Sequence, residues 1–172
     1  MTDETTPEDV ADVLWLGVME QGIARLPALC EAVARAVPAG ADPVAEDDVL
    51  GESVAAGFAV ALLHLEKRLS PEDLHRLHLA IESRADRMDP SLAHHVWRYY
   101  YALGGESGEA MLRALGREFR AKCYQRDPGA LPDDPRADLS LAELLVPRGT
   151  AAVAVDIGRL LRRAGMNRQG QG

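Results

Sequence analysis

Cysteine is nearly absent from this chain. Cys30 and Cys123 are the only two in 172 residues, and no CxxC is present. Two distant cysteines make no disulfide framework. A chain of this length buries roughly 70% of the surface its unfolded form exposes, so it needs neither a disulfide nor a structural metal to fold. Each cysteine sits among apolar helical residues, which predicts buried thiols rather than a redox pair. Aromatic residues are also scarce, at 5%, and isoleucine is rare. The side chains that fill strands are therefore thin, while alanine and leucine, both strong helix formers, dominate. Long apolar runs are missing as well. The longest, Val54 to Leu63, falls far short of the roughly 20 residues a membrane span needs. The start of the chain is acidic and polar, unlike a secretion signal. These features predict a cytoplasmic protein with no membrane contact, and the Ala, Arg and Gly bias is that of GC-rich bacterial genomes.

Catalytic signatures are lacking too. The chain has no G-x-S-x-G, P-loop, G-x-G-x-x-G, H-E-x-x-H or HD dipeptide. That turns the reading away from the enzyme classes these motifs mark.

Basic residues are short in one region. Residues 1–57 carry twelve acidic and two basic side chains, whereas the remainder carries fifteen and seventeen, within a net charge of −8. The acidic third is expected to pack beside the basic part, within one fold or across a dimer, or to face a basic partner.

What is present is a repeated helix start. Thr6-Pro7-Glu8-Asp9, Ser70-Pro71-Glu72-Asp73 and Asp89-Pro90 each place a short polar cap before a proline, and Asp42-Pro43 has the same form. Period 3.6 prevails over period 2 along the chain. The pattern predicts an all-α fold, an irregular orthogonal or antiparallel bundle of about seven to eight helices. They are expected near 7–25, 27–37, 46–69, 71–88, 90–103, 107–125, 139–146 and 150–164. The helix at about 46–69 is apolar on every side and belongs at the centre, where Gly57 permits close approach. Residues 1–126 form the main bundle, 127–138 a proline-rich connector, and 139–165 a helical arm that docks on the bundle or on a second subunit. Residues 166–172 form a disordered tail.

Four constellations are candidates for function. Glu72, His75, His78 and Glu82 share one flank of the helix after Pro71, at spacings that let side chains converge on a transition metal. A mononuclear site there would recruit His64, His94 or His95 from a neighbouring helix. A carboxylate-bridged di-iron site is excluded, because no second E-x-x-H exists. The alternative is a set of solvated histidines. Next come the surplus aromatic and apolar side chains Trp15 and Met19, and Trp97 and Tyr101, which suit an interface. Internal packing is the competing reading, and His94-His95 beside the aromatics leaves room for a small-ligand pocket. Third, Arg113, Arg117 and Arg120 form a basic stripe suited to an anion. A nucleic-acid partner is disfavoured by the pI near 5.1. Last, residues 141–164 loosely have helix-turn-helix spacing, but the second helix opens Ala151-Ala-Val-Ala-Val155, which suits packing rather than base contacts.

The expected function is thus a non-catalytic helical interaction module, a homo-oligomer or a small subunit of a larger assembly. The alternative is a metal- or small-ligand-binding helical protein using a His/Glu cluster. A nucleic-acid-associated subunit is the third reading.

Overall fold

Four of the six described helices begin where the sequence supplies a cap followed by proline. The computed structural model describes residues 6–37 and 41–146, and within them the chain is helical with no strands. Helix α1 (Pro7–Arg35) opens on a full capping box. The Thr6 hydroxyl accepts from the Asp9 amide at 3.2 Å, and the Asp9 carboxylate accepts from the Thr6 amide at 2.7 Å. Ser70 caps α3 (Pro71–Met88) by accepting from the Asp73 amide, and Asp89 caps α4 (Pro90–Leu103) by accepting from the Ser91 amide. Ser107 precedes α5 (Gly108–Cys123), and Asp134 caps α6 (Pro135–Leu145) by accepting from Ala137 at 3.0 Å.

Three boundaries differ from the sequence reading. Pro27 does not restart a helix; α1 runs through it unbroken. A proline there frees the carbonyl of Ile23. Ile23, Ala24, Pro27 and Ala28 are all exposed, so water can satisfy that carbonyl at little cost. Asp42-Pro43 does not start a helix either. Helix α2 (Glu46–Glu66) starts after Ala45 without a side-chain cap, and Glu46, Asp47 and Asp48 complement its dipole instead. Lastly, α6 begins at Pro135, inside the segment read as a connector, because Asp134-Pro135 is one more instance of the cap-plus-proline start. The described residues hold six helices rather than seven or eight. Two of the expected ones are a single α1, and the helix expected at 150–164 lies outside the described residues, as do the tail at 166–172 and the second half of the helix-turn-helix spacing.

Helix α2 occupies the centre and touches each of the other five. Its buried residues, from Val49 through Leu65, surround the helix. By length and composition alone α2 could cross a membrane, yet the bundle buries 67% of its most apolar window. Each Leu, Val or Phe taken fully from water here contributes about 1.5–3 kcal/mol. Trp15 and Phe58 join α1 to α2, with ring centroids 5.0 Å apart. Small residues set the spacing. A Cβ on Gly57 would lie 2.9 Å from the Val18 side chain, so α1 and α2 cross at close range.

The tightest seam is between α5 and α6. A Cβ on Gly116 would fall 1.8 Å from the Asp138 carbonyl oxygen. Between these helices the chain makes one 3-10 turn (Pro128–Ala130), and it is strapped down by two arginines. Arg117 donates to the carbonyls of Pro128 and Leu131 and pairs with Asp133 at 2.9 Å. Arg120, 4% exposed, pairs with the equally buried Asp138 at 3.0 Å and donates to the Pro132 carbonyl.

Candidate functional site

A second buried carboxylate lies across the bundle, and it opens differently. Glu52 sits in the first half of α2, on a helix whose flanks are otherwise apolar, and is 7% exposed. Both its oxygens are taken by α4. The Tyr99 hydroxyl donates to one at 2.8 Å, and His95 Nδ1 meets the other at 2.6 Å. His95 and Tyr99 are four residues apart, so they share one face of α4 and reach α2 together. An ionised carboxylate only accepts, so Nδ1 is the donor to Glu52, and in the neutral ring Nε2 is then the acceptor. Nε2 has no protein partner among the described residues, and the His95 side chain is 36% exposed.

Burial dominates the electrostatics behind this pair. It pushes the Tyr99 phenol well above its ordinary range, and Glu52 pushes it further. The Cys123 thiol is likewise raised, first by burial and then by Glu52 and Asp48. Tyr99 therefore stays a neutral donor, and Cys123 stays a neutral thiol.

In front of His95 lies a polar cleft of about 650 Å³, within the size of small-molecule sites. The α2 side of the cleft is acidic, with Asp47 and Asp48. The other side is basic, with Arg98 from α4, Lys122 from the last turn of α5 and Arg126 just beyond it. Asp89 and Asp127 also border it, but each is engaged in capping its own turn.

The metal candidates do not converge. Glu72, His75 and Glu82 are exposed on α3. His78 turns away from them, its ring 4.9 Å from Trp97 and 5.5 Å from Tyr100. Its Nε2 is buried without a hydrogen-bond partner, and burial lowers its pKa. Among the described residues no group of three His, Cys, Asp or Glu side chains is placed to hold a metal ion. His64 and His94 are exposed and stand apart from this flank.

The interface candidates divide. Trp15 is 4% exposed and belongs to the core, while Met19 and Trp97 are half-buried against it. Tyr101 alone stands out, at 77% exposed. The more continuous apolar surface is elsewhere, on the outer side of α1, where Leu16 and Ile23 are more than half exposed and Val13 lies beside them. Of the basic stripe, Arg117 and Arg120 are spent on the internal strap and Arg113 pairs with Glu109 on its own helix. The face of α5 opposite Phe119 is not solvated at Arg120, because α6 packs there.

Glu52 was not singled out from sequence. The available signal was a lone carboxylate at the start of a stretch apolar on every side. No spacing rule links it to His95, which lies 43 residues away.

No protein-family model, curated protein or solved structure matches the chain.

Proposed function

We propose that the protein binds a small polar molecule in the cleft between α2, α4 and the end of α5, and presents His95 Nε2 to it. The observation that carries this reading is the buried Glu52 carboxylate, which holds His95 at Nδ1 and leaves the other nitrogen on the cleft. A ring oriented in this way can accept a hydrogen bond or a proton from a ligand, or bind a metal that the ligand brings. The charge of the two sides narrows the ligand class. Asp47 and Asp48 on one side, and Arg98, Lys122 and Arg126 on the other, have no ion-pair partner among the described residues. A zwitterion, with an ammonium at one end and a carboxylate or phosphate at the other, complements both. The test is to follow the His95 ring resonances while titrating amino acids, then simple anions, then simple amines. Saturable shifts with a zwitterion, weakened in Arg98→Ala with Lys122→Ala, support the reading. Absence of saturable shifts with all three classes removes it.

A second reading is an interaction module that self-associates. It is favoured by the outer face of α1, where Val13, Leu16 and Ile23 are exposed within three turns. Leu16 and Ile23 are seven residues apart and lie along one line of the helix. Antiparallel pairing about a twofold axis sets Leu16 of one copy over Ile23 of the other. Light scattering tests it: a dimer in the parent that becomes a monomer in Leu16→Glu with Ile23→Glu. A monomeric parent at high micromolar concentration removes it.

A further inference from the structure

Where the backbone turns left-handed, the chain supplies glycine twice and glutamine once. Gly105 and Gly108, with φ of 85° and 57°, lie at the turn between α4 and α5. Gln125, at 51°, is the only other described residue in that region. A β-carbon crowds its own backbone there, and glycine has none.

The end of α5 requires this conformation. The Arg126 amide donates to the Ala121 carbonyl at 2.8 Å, and the Gln125 amide donates to the Lys122 carbonyl at 2.9 Å. This pair of bonds closes a helix when the residue at the position of Gln125 is left-handed, and glycine is the usual occupant. The same turn sorts the side chains. Cys123 is buried, and the Tyr124 hydroxyl donates to the Val33 carbonyl at 2.7 Å, so these two anchor the turn inward. Lys122, Gln125 and Arg126 line the polar cleft instead.

Gln125 also differs from the rest of the cleft wall. Glu52 is taken by Tyr99 and His95, Asp89 and Asp127 cap their own turns, and the Ser91 hydroxyl donates to Asp89 at 2.8 Å. The Gln125 carboxamide has no hydrogen-bond partner among the described residues, and no other amide side chain lines the cleft. It offers a donor and an acceptor side by side. That pair matches the carbonyl and N–H of another amide. The cleft has room for a ligand that carries one. Its volume of about 650 Å³ is that of about twenty liquid waters, more than a free amino acid fills.

We infer that Gln125 is a specificity residue of this cleft, set at a left-handed position where its carboxamide pairs with an amide of the ligand. On the zwitterion reading of the cleft, on which this rests, the ligand carries an amide between its charged ends, as a short peptide does.

Two probes of equal charge and length make the test. Glycylglycine carries the amide, and δ-aminovalerate has two methylenes in its place. Calorimetric titration of the full chain should show glycylglycine binding at least about tenfold tighter, as two further hydrogen bonds provide. In Gln125→Gly that preference should fall to about twofold or less. The thermal midpoint of the same variant should rise by about 2–4 °C, because glycine adopts the turn freely. A preference that persists in Gln125→Gly overturns the inference. So does a thermal midpoint that falls, which would make the side chain a structural one. Equal binding of both probes to the parent overturns it as well and leaves the zwitterion reading standing. If neither probe binds, the inference falls; if free amino acids also fail to bind, the zwitterion reading falls with it.

Discussion

Two carboxylates are buried in this bundle, and they are buried in opposite senses. Asp138 is closed in by α5. Its partner Arg120 is 4% exposed and donates onward to the Pro132 carbonyl. Burial raises the Asp138 carboxyl, and Arg120 offsets that only in part. Glu52 is held as firmly, by Tyr99 from within, but its second partner reaches the surface. The first arrangement fastens one segment to another. The second uses a buried anion to aim a ring outward. Burial of a charge is thus no sign of a site by itself; what separates the two cases is whether the partner's remaining polar atoms are used up inside the protein.

The contrast can be broken most severely at the closed seam. Replacing Arg120 by Met leaves Asp138 buried without its cation and should cost about 3–5 kcal/mol in urea unfolding. Replacing both, Arg120→Met with Asp138→Leu, should recover most of that. A loss under about 1 kcal/mol for the single change would show that the strap does not hold α6. Gly116→Ala comes next. Its methyl would meet the Asp138 backbone, and the forced separation of α5 and α6 should cost about 3 kcal/mol by the same measurement.

At the open pair the expected effects are smaller and differently read. Tyr99→Phe removes one donor to Glu52 and should cost about 1.5–3 kcal/mol. It should also shift the His95 ring resonances, which Arg120→Met should leave in place. Equal shifts from both variants would erase the distinction between the two carboxylates. The smallest effect belongs to His78. Because burial lowers its pKa from 6.5, the unfolded chain takes up that proton more readily. The stability it contributes is complete above 6.5 and is lost as pH falls from there through the lowered folded value. His78→Leu should flatten that part of the stability profile; an unchanged slope would assign it to other groups.

Local signals carried the fold further than the site. The starts of α1, α3 and α4 were legible because capping chemistry lies within four residues of itself. The central place of α2 was legible because a helix apolar all round has only one environment that satisfies it. Pro27 misled because the rule against proline inside a helix depends on whether the freed carbonyl is wet, which is a property of the assembled surface. Asp134-Pro135 was readable but was hidden among neighbouring prolines. The spacing of Arg113, Arg117 and Arg120 puts them on one side of α5, yet their surroundings turned on α6, whose packing no spacing reveals. His78 and Trp97 lie on different helices, as do Glu52 and His95, and such pairs are created by tertiary contact alone.

Cys123 gives the bundle a built-in clock. It is 5% exposed, and burial holds its thiol uncharged, so an alkylating reagent can reach it only when α5 lifts from α2. Cys30, half-buried on α1, offers an internal standard in the same molecule. The ratio of the two labelling rates counts transient openings of the central seam under native conditions, without a probe having to be installed.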